Sequence, residues 1–553
     1  MAETLTTTNP ETLHQQGQAP WPGSHEMPRW NQGPLVDAPY FTWRNWFAML
    51  GPGLLMGGAA IGGGEWLMGP AVTARYGGAL MWLATLSILG QVVYNLEISR
   101  YTLYSGEPIF TGKFRTLPGP RFWLTAYLIL DFGAVFPYLA SNAAVPLSAV
   151  ILGAIPSANP QETPWTSFDL LGQHFDFSQA FLIQSLAFSV FLASLLPLIF
   201  GGKIYSALKA VMTFKIVTVF SFLLFIAICF STFSTWREIG TGFVKFGTVP
   251  IQGANDAVDN VFLSVLRGDG LPHVDFSTIA MLAAFAAIAG QGGLSNAPLS
   301  NYTRDQGWGM GYHVGAIPSV IGGRNIALSH VGMVFEVTPE SLSRWRRWYR
   351  HVMRDQLVVW MPACFIGLAL PSMLSVQFVP RGKVADDWTV AGMTAGGVEN
   401  HINTQWGSEV GHLFWYLTLL CGFLVLAPTM ASTIDGFVRR WVDVFWTSSA
   451  RLREWETKRI RNLYFYVLTG YSVFGLTMLY LGKPLMLLTI GTNIMNFALG
   501  FSCWHVLALN LILLPRELRP NWFMRTGLFF AGLFFIVLSI IVAIQTASKF
   551  GLI

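Results

Sequence analysis

Two glycine-rich interruptions cut two otherwise apolar runs, and they resemble each other. The first reads Ala59-Ala60-Ile61-Gly62-Gly63-Gly64-Glu65-Trp66; the second reads Ala286-Ala287-Ile288-Ala289-Gly290-Gln291-Gly292-Gly293, followed by Leu294, Ser295 and Asn296. Each lies in a stretch long enough to cross a bilayer, which takes about 20 residues. Backbone cannot unwind against lipid, because each unpaired N–H or C=O there costs several kcal/mol; it unwinds only where it lines a cavity or is covered by protein. Matching breaks in two halves of one chain point to the substrate site of a secondary transporter.

The rest of the composition agrees. Of 553 residues, 53% are hydrophobic and only 11% are charged, whereas a soluble domain carries about 25% charged residues. The sequence predicts an all-α polytopic membrane protein. The net charge of +5 fits basic loops at a membrane surface, with lipid rather than nucleic acid as the partner. Cys229, Cys364, Cys421 and Cys503 all fall in apolar segments, so a disulfide framework is not expected. There is no His-rich metal box, nucleophile motif or phosphate loop, which argues against an enzyme and against a bound cofactor.

Eleven spans are expected: 47–74, 78–104, 121–153, 179–200, 204–231, 275–301, 352–375, 410–436, 461–481, 484–514 and 523–547. Lys and Arg gather in the N-terminal segment and alternate loops, notably 304–354 and 439–461. By the positive-inside rule the N-terminus is cytoplasmic and the C-terminus extracytoplasmic, in a bacterial inner membrane. Residues 1–40 are polar and rich in Pro, Thr, Gln and Gly, and read as a disordered cytoplasmic tail. The expected division is 41–232 as a first repeat, 233–274 as an extracytoplasmic loop, 275–514 as a second repeat, and 515–553 as the last helix and C-terminus. The run Arg344-Trp345-Arg346-Arg347-Trp348-Tyr349-Arg350 reads as a positive-inside flank or as an amphipathic helix at the headgroup boundary.

The first break carries a family resemblance. Gly51-Pro52-Gly53-Leu54-Leu55 opens the span and Tyr76-Gly77 closes it, as in the Nramp family of divalent metal-ion transporters. The resemblance implies a LeuT-type fold: spans one to five and six to ten as inverted repeats, span eleven appended, and spans one and six unwound at mid-membrane. It also implies alternating access, commonly coupled to protons. The metal ligands of that family do not carry over. Its Asp-Pro-Gly-Asn is Gly62, Gly63, Gly64 and Glu65 here; its Met-Pro-His is Leu294, Ser295 and Asn296. The family's aspartate on the proton route matches Asp131, the nearby glutamate is Ala134, and its arginine in the ninth span has no counterpart after Arg461.

The residues themselves suggest two chemistries. Each broken helix offers the N-terminus of its second half, with unpaired N–H groups and about half a positive charge. Gly62, Gly63, Gly64, Gly290, Gly292 and Gly293 let a ligand approach the backbone, and Gln291, Leu294, Ser295 and Asn296 complete the lining. On this reading the substrate is a small anion such as bicarbonate, with Na⁺ or H⁺ as the coupling ion held by Glu65, Asp131 and the carbonyls of Ala59 and Ala60. The alternative is a proton-coupled transporter of Mn²⁺ or Mg²⁺, for which Glu65 is the one carboxylate at the breaks; Mg²⁺ keeps several waters and needs only one or two. Of the other intramembrane polar groups, Glu97 and Lys215 read as paired or snorkelling near the inner face. His505 is a candidate proton-relay member. Asn493 and Asn496 are expected either to line the cavity or to join helices. The sequence leaves the oligomeric state open, a monomer being compatible with it.

Overall fold

The computed structural model describes residues 19–42, 51–60, 62–170, 173–200, 203–253, 256–315, 329, 331–455 and 457–549. Ile61, Arg44, residues 1–18 of the expected tail and the first residues of span one lie outside them. Helices occupy each of the eleven expected segments. Eight helices among the described residues are long and apolar enough to cross a membrane, or ten if two sharply bent pairs are counted as spans. The chain is a multi-pass membrane protein.

Span one comprises Pro52–Ala60, then a π-turn over Gly64–Met68 running into Gly69–Tyr76. Span two is Trp82–Ser105. A short helix, Ile109–Arg115, leads into span three, which is Pro120–Leu130 and Tyr138–Leu152 joined by a 3₁₀ segment at Asp131–Val135. Spans four and five are Gln179–Phe200 and Lys203–Cys229. Span six is Ile279–Ile288, a break, a 3₁₀ turn at Gly293–Asn296, and Pro298–Asp305. The amphipathic helix Pro339–Arg354 continues through a π-turn at Asp355–Trp360 into span seven, Met361–Phe378. Spans eight to eleven are Ser408–Ser448, Thr457–Leu481, Pro484–Leu513 and Trp522–Lys549.

The connections away from the N-terminal face carry structure of their own. They hold a hairpin pairing Pro164–Leu170 with Gln173–Ser178, a second pairing Thr248–Pro250 with Val258–Asn260, and the helices Phe233–Gly242 and Ala395–Trp406. Arg75 pairs with Asp256 at 2.7 Å, and Arg381 with Glu238 at 2.7 Å, tying these connections to the end of span one.

The disordered tail expected over 1–40 is corrected where the structure describes it. Residues 19–38 run across the N-terminal face and bury Met27, Trp30 and Leu35. Trp30 packs under the Arg115 guanidinium, 4.9 Å from the ring centroid, and edge-on to Tyr104. Asn31–Gln32 pair in parallel with Met333–Val334. Arg344 donates to the Leu35 carbonyl (2.9 Å), Trp348 to that of Val36 (2.9 Å), and Arg347 pairs with Asp37 (2.6 Å). The polar composition concealed a few apolar anchors, and the ordering entropy is offset by their burial and by these hydrogen bonds. The same contacts reassign the Arg/Trp run. Trp345 and Trp348 are buried, and Arg344 and Arg347 hold the N-terminal segment, leaving Arg346 and Arg350 exposed.

Candidate functional site: two helix breaks closed against each other

The two breaks meet. A Cβ on Gly64 would lie 2.1 Å from the carbonyl oxygen of Ile288, so only glycine lets the π-turn of span one pass the end of span six. Gly63 faces Tyr138 and Leu139 of span three, where a Cβ would fall at 3.0 Å from each. At positions 63 and 64 the missing side chains permit close helix approach.

The Glu65 carboxylate joins the breaks. Its Oε2 accepts from Gly62 N at 3.1 Å and its Oε1 from Gly290 N at 3.3 Å. It is 1% exposed. One side chain therefore caps the freed N–H groups of both interruptions, as an N-cap does for an ordinary helix.

Gln91 of span two holds the second break. Its Oε1 accepts from Gln291 N (3.0 Å), Gly292 N (3.4 Å) and Asn296 Nδ2 (3.0 Å). Its Nε2 donates to the Ala289 carbonyl at 2.8 Å and to Ser87 Oγ at 2.9 Å. Ser87 in turn donates to the carbonyl of Ala286 at 2.6 Å. Gly290, Gly292 and Gly293 have φ of +105°, +67° and +55°, backbone that a side chain would strain. Gln291 Nε2 donates to the Met56 carbonyl in the inner half of span one (2.6 Å). Leu294 is buried, and Ser295 N closes a turn onto Gly292 O at 3.1 Å.

Four of the N–H groups expected to receive an anion are thus occupied: Gly62 and Gly290 by Glu65, Gln291 and Gly292 by Gln91. Among the buried side-chain atoms at the breaks, an oxygen is left without a partner. Asn296 Oδ1, fully buried, accepts no hydrogen bond. Asn496 Oδ1 in span ten is in the same position, while its Nδ2 bonds the Ala283 carbonyl of span six at 2.7 Å. Asn493 likewise donates to Ala280 at 3.2 Å, so both join helices.

Lys215 does not snorkel: it is completely buried and donates to Thr429 Oγ1 of span eight at 2.7 Å, within electrostatic range of Glu65. Glu97 is paired as expected, with Arg100 at 2.9 Å. Ala59 and Ala60 end the inner half of span one. Asp131 does not join the breaks. It receives Arg440 Nη2 at 2.7 Å, Arg440 Nε at 2.8 Å and Trp441 Nε1 at 2.8 Å, clamping span three to span eight.

Sequence reasoning missed Gln91, Ser87 and Arg440. A signal for the first two exists: Ser87, Gln91 and Asn95 recur every four residues on one face of an apolar helix. Asn95 extends the network by donating to Gln356 Oε1 (2.9 Å). Gln356 donates to Asp355 (2.9 Å), which accepts from Gly51 N (3.2 Å) and Gly53 N (2.7 Å) at the start of span one. Among the described residues no group of three or more His, Cys, Asp or Glu could hold a metal ion.

No family model matches the chain. An uncharacterized protein of Pasteurella multocida (strain Pm70) is 32% identical over 133 residues, which are 24% of this chain and 29% of that protein; the match spans less than a third of the relative's length. Among solved structures, a mutant of the Eremococcus coleocola manganese transporter superposes with a TM-score of 0.58 at 12% identity, covering 94% of this chain and 91% of that one. The same transporter in complex with an aromatic bis-isothiourea substituted compound gives 0.55 at 12% identity over the same shares. The agreement runs through both halves of the molecule, so the chain has the LeuT-type fold of those manganese transporter structures.

Proposed function

We propose that this protein is a secondary-active transporter working by alternating access, and that it carries a divalent cation, Mn²⁺ or Mg²⁺, coupled to protons at Glu65. One observation carries the substrate class: four N–H groups at the breaks are held by side chains, while a buried amide oxygen beside a carboxylate has no donor. Gly62, Gly290, Gln291 and Gly292 give their N–H groups to side chains, while Glu65 offers a carboxylate and Asn296 an unpartnered oxygen. Hard cations take oxygen ligands, and Mg²⁺ retains water in the remaining positions. An anion would have to displace Glu65. The fold shared with manganese transporter structures supports the same reading.

A small anion such as bicarbonate is the second reading. The observation in its favour is Lys215, a buried cation beside Glu65.

Uptake into proteoliposomes tests both. Saturable Mn²⁺ or Mg²⁺ uptake driven by a pH gradient, unaffected by Na⁺ and bicarbonate, is the expected result. Uptake of bicarbonate, with no response to either metal, overturns it.

A further inference from the structure

The helix that leads into span seven carries a row of charge that the fold does not use. Pro339–Arg354 holds Arg344, Arg346, Arg347, Arg350 and Arg354. Two of these are committed to the protein: Arg344 pairs with Glu340 at 2.7 Å and Arg347 with Asp37 at 2.6 Å. Arg346, Arg350 and Arg354 are exposed and have no acidic partner among the described residues. Arg350 Nε reaches the Arg346 carbonyl of its own helix at 3.4 Å. The Arg354 guanidinium lies over the Phe41 ring, 4.6 Å from its centroid. The three recur every four residues, so they form one row along the outer side of the helix. Trp345, Trp348 and Val352, all buried, take the other side.

The row runs on into apolar surface. Val358 is four positions beyond Arg354, and both it and Leu357 are exposed. Pro339–Phe378 is one helix of 40 residues, about 60 Å long and so about twice the thickness of a hydrocarbon core. The part from Val358 to Phe378 spans about 30 Å, the core thickness itself. That part lies in a stretch, 357–380, that contains no charged residue. The edge of the hydrocarbon then falls at Leu357 and Val358. Arg354 stands about 6 Å outside it, Arg350 about 12 Å and Arg346 about 18 Å. The headgroup layer on each side is about 5–8 Å deep. Arg354 therefore lies in it, and the long side chain of Arg350 can bend down to it. Tyr40, next to the Phe41 ring that carries Arg354, is exposed too, and tyrosine favours the headgroup level.

We propose that Arg354, Arg350 and Arg346 form a docking row for an anionic phospholipid, with the lipid phosphate held at Arg354 and Arg350 and drawn in by Arg346. Charge complementarity and the continuity of the row with Leu357 and Val358 favour a lipid over a soluble anion. The acyl chains lie against the apolar end while the headgroup meets the basic end. Guanidinium suits a phosphate because it can donate two parallel hydrogen bonds to it. The site also bears on span one. The residue after Arg354 is Asp355, which accepts from Gly51 N and Gly53 N, so a lipid held here is attached to the helix that anchors the start of span one. The identity of the transported substrate does not enter.

Native mass spectrometry of the detergent-solubilised full chain tests the row, with titration by dioleoyl phosphatidylglycerol or by the neutral dioleoyl phosphatidylcholine. The wild type should retain phosphatidylglycerol at concentrations where phosphatidylcholine is lost. Arg354→Gln and Arg350→Gln should each weaken phosphatidylglycerol binding about fivefold, the equivalent of about 1 kcal/mol for one arginine near an anionic surface. Arg346→Gln should weaken it less than about twofold, because attraction fades beyond a Debye length of about 8–10 Å. Two contact positions, with thermal midpoints measured alongside, keep the test decisive where one variant misfolds. Arg121→Gln removes a charge from the same face, on a side chain that is 94% exposed, and should leave binding unchanged. A wild type that holds both lipids equally overturns the proposal. Equal losses in Arg121→Gln and Arg354→Gln also overturn it, since they would mean diffuse charge rather than a site. So does a wild type that binds RNA or polyglutamate through these arginines and ignores phosphatidylglycerol.

Discussion

The first and second breaks are both glycine-rich, and both have their freed N–H groups capped by a side chain. The caps differ in one respect. Glu65 at the first is ionisable; Gln91 at the second is not. A protonated Glu65 has one fewer acceptor to offer and no charge, so its hold on Gly62 and Gly290 weakens. Gln91 holds Gln291 and Gly292 identically at any pH. Of two similar interruptions, only one can respond to a proton, and because Glu65 reaches across to Gly290, that response would loosen both.

Glu65→Gln tests this most severely. The amide keeps one acceptor oxygen and loses the charge. On the cation reading, binding of Mn²⁺ falls by more than about 1.5–3 kcal/mol, the value of one hydrogen bond to a charged group, and uptake is abolished. Calorimetric titration checks it; undiminished Mn²⁺ affinity would show that the two caps are equivalent. Gln91→Leu comes next. It strands Gln291 N, Gly292 N and Asn296 Nδ2, each costing about 1–3 kcal/mol when unpaired, so the thermal midpoint should fall steeply. Gln91→Glu sharpens the comparison further, since a second carboxylate should raise cation affinity at high pH and lose that gain on acidification. Gly64→Ala forces the breaks apart at Ile288, for about 1–3 kcal/mol of overpacking; thermal melting in detergent should show it, and an unchanged midpoint would mean the contact relaxes freely. The smallest change is Asp355→Asn. It removes the charge that caps Gly51 and Gly53 and should cost about 1 kcal/mol, read as a modest drop in thermal midpoint.

Much of the fold was legible because bilayer length and hydropathy leave few choices. The breaks were legible for the same reason: polar glycine runs inside apolar spans have few explanations. The filling of the site was not. Nothing local ties Gln91 to Gln291, since their partnership depends on how span two crosses span six. Asp131 looked like a lone intramembrane acid; Arg440, more than three hundred positions away in the chain, is what neutralises it. The packed segment at 19–38 was hidden by its average composition, since three large buried side chains, Met27, Trp30 and Leu35, barely move a mean.

That segment acts as a splint. It is fastened at one end to Arg115, at the foot of spans two and three, and at the other to Arg344 and Trp348, on the helix leading into span seven. Span one meets that scaffold at its start through Asp355, which accepts from Gly51 N and Gly53 N. On the alternating-access proposal, the splinted pieces should move as one scaffold, with the inner half of span one moving against them. A spin-label pair bridging positions 29 and 346 should keep its distance through the cycle, and one bridging 52 and 29 should not.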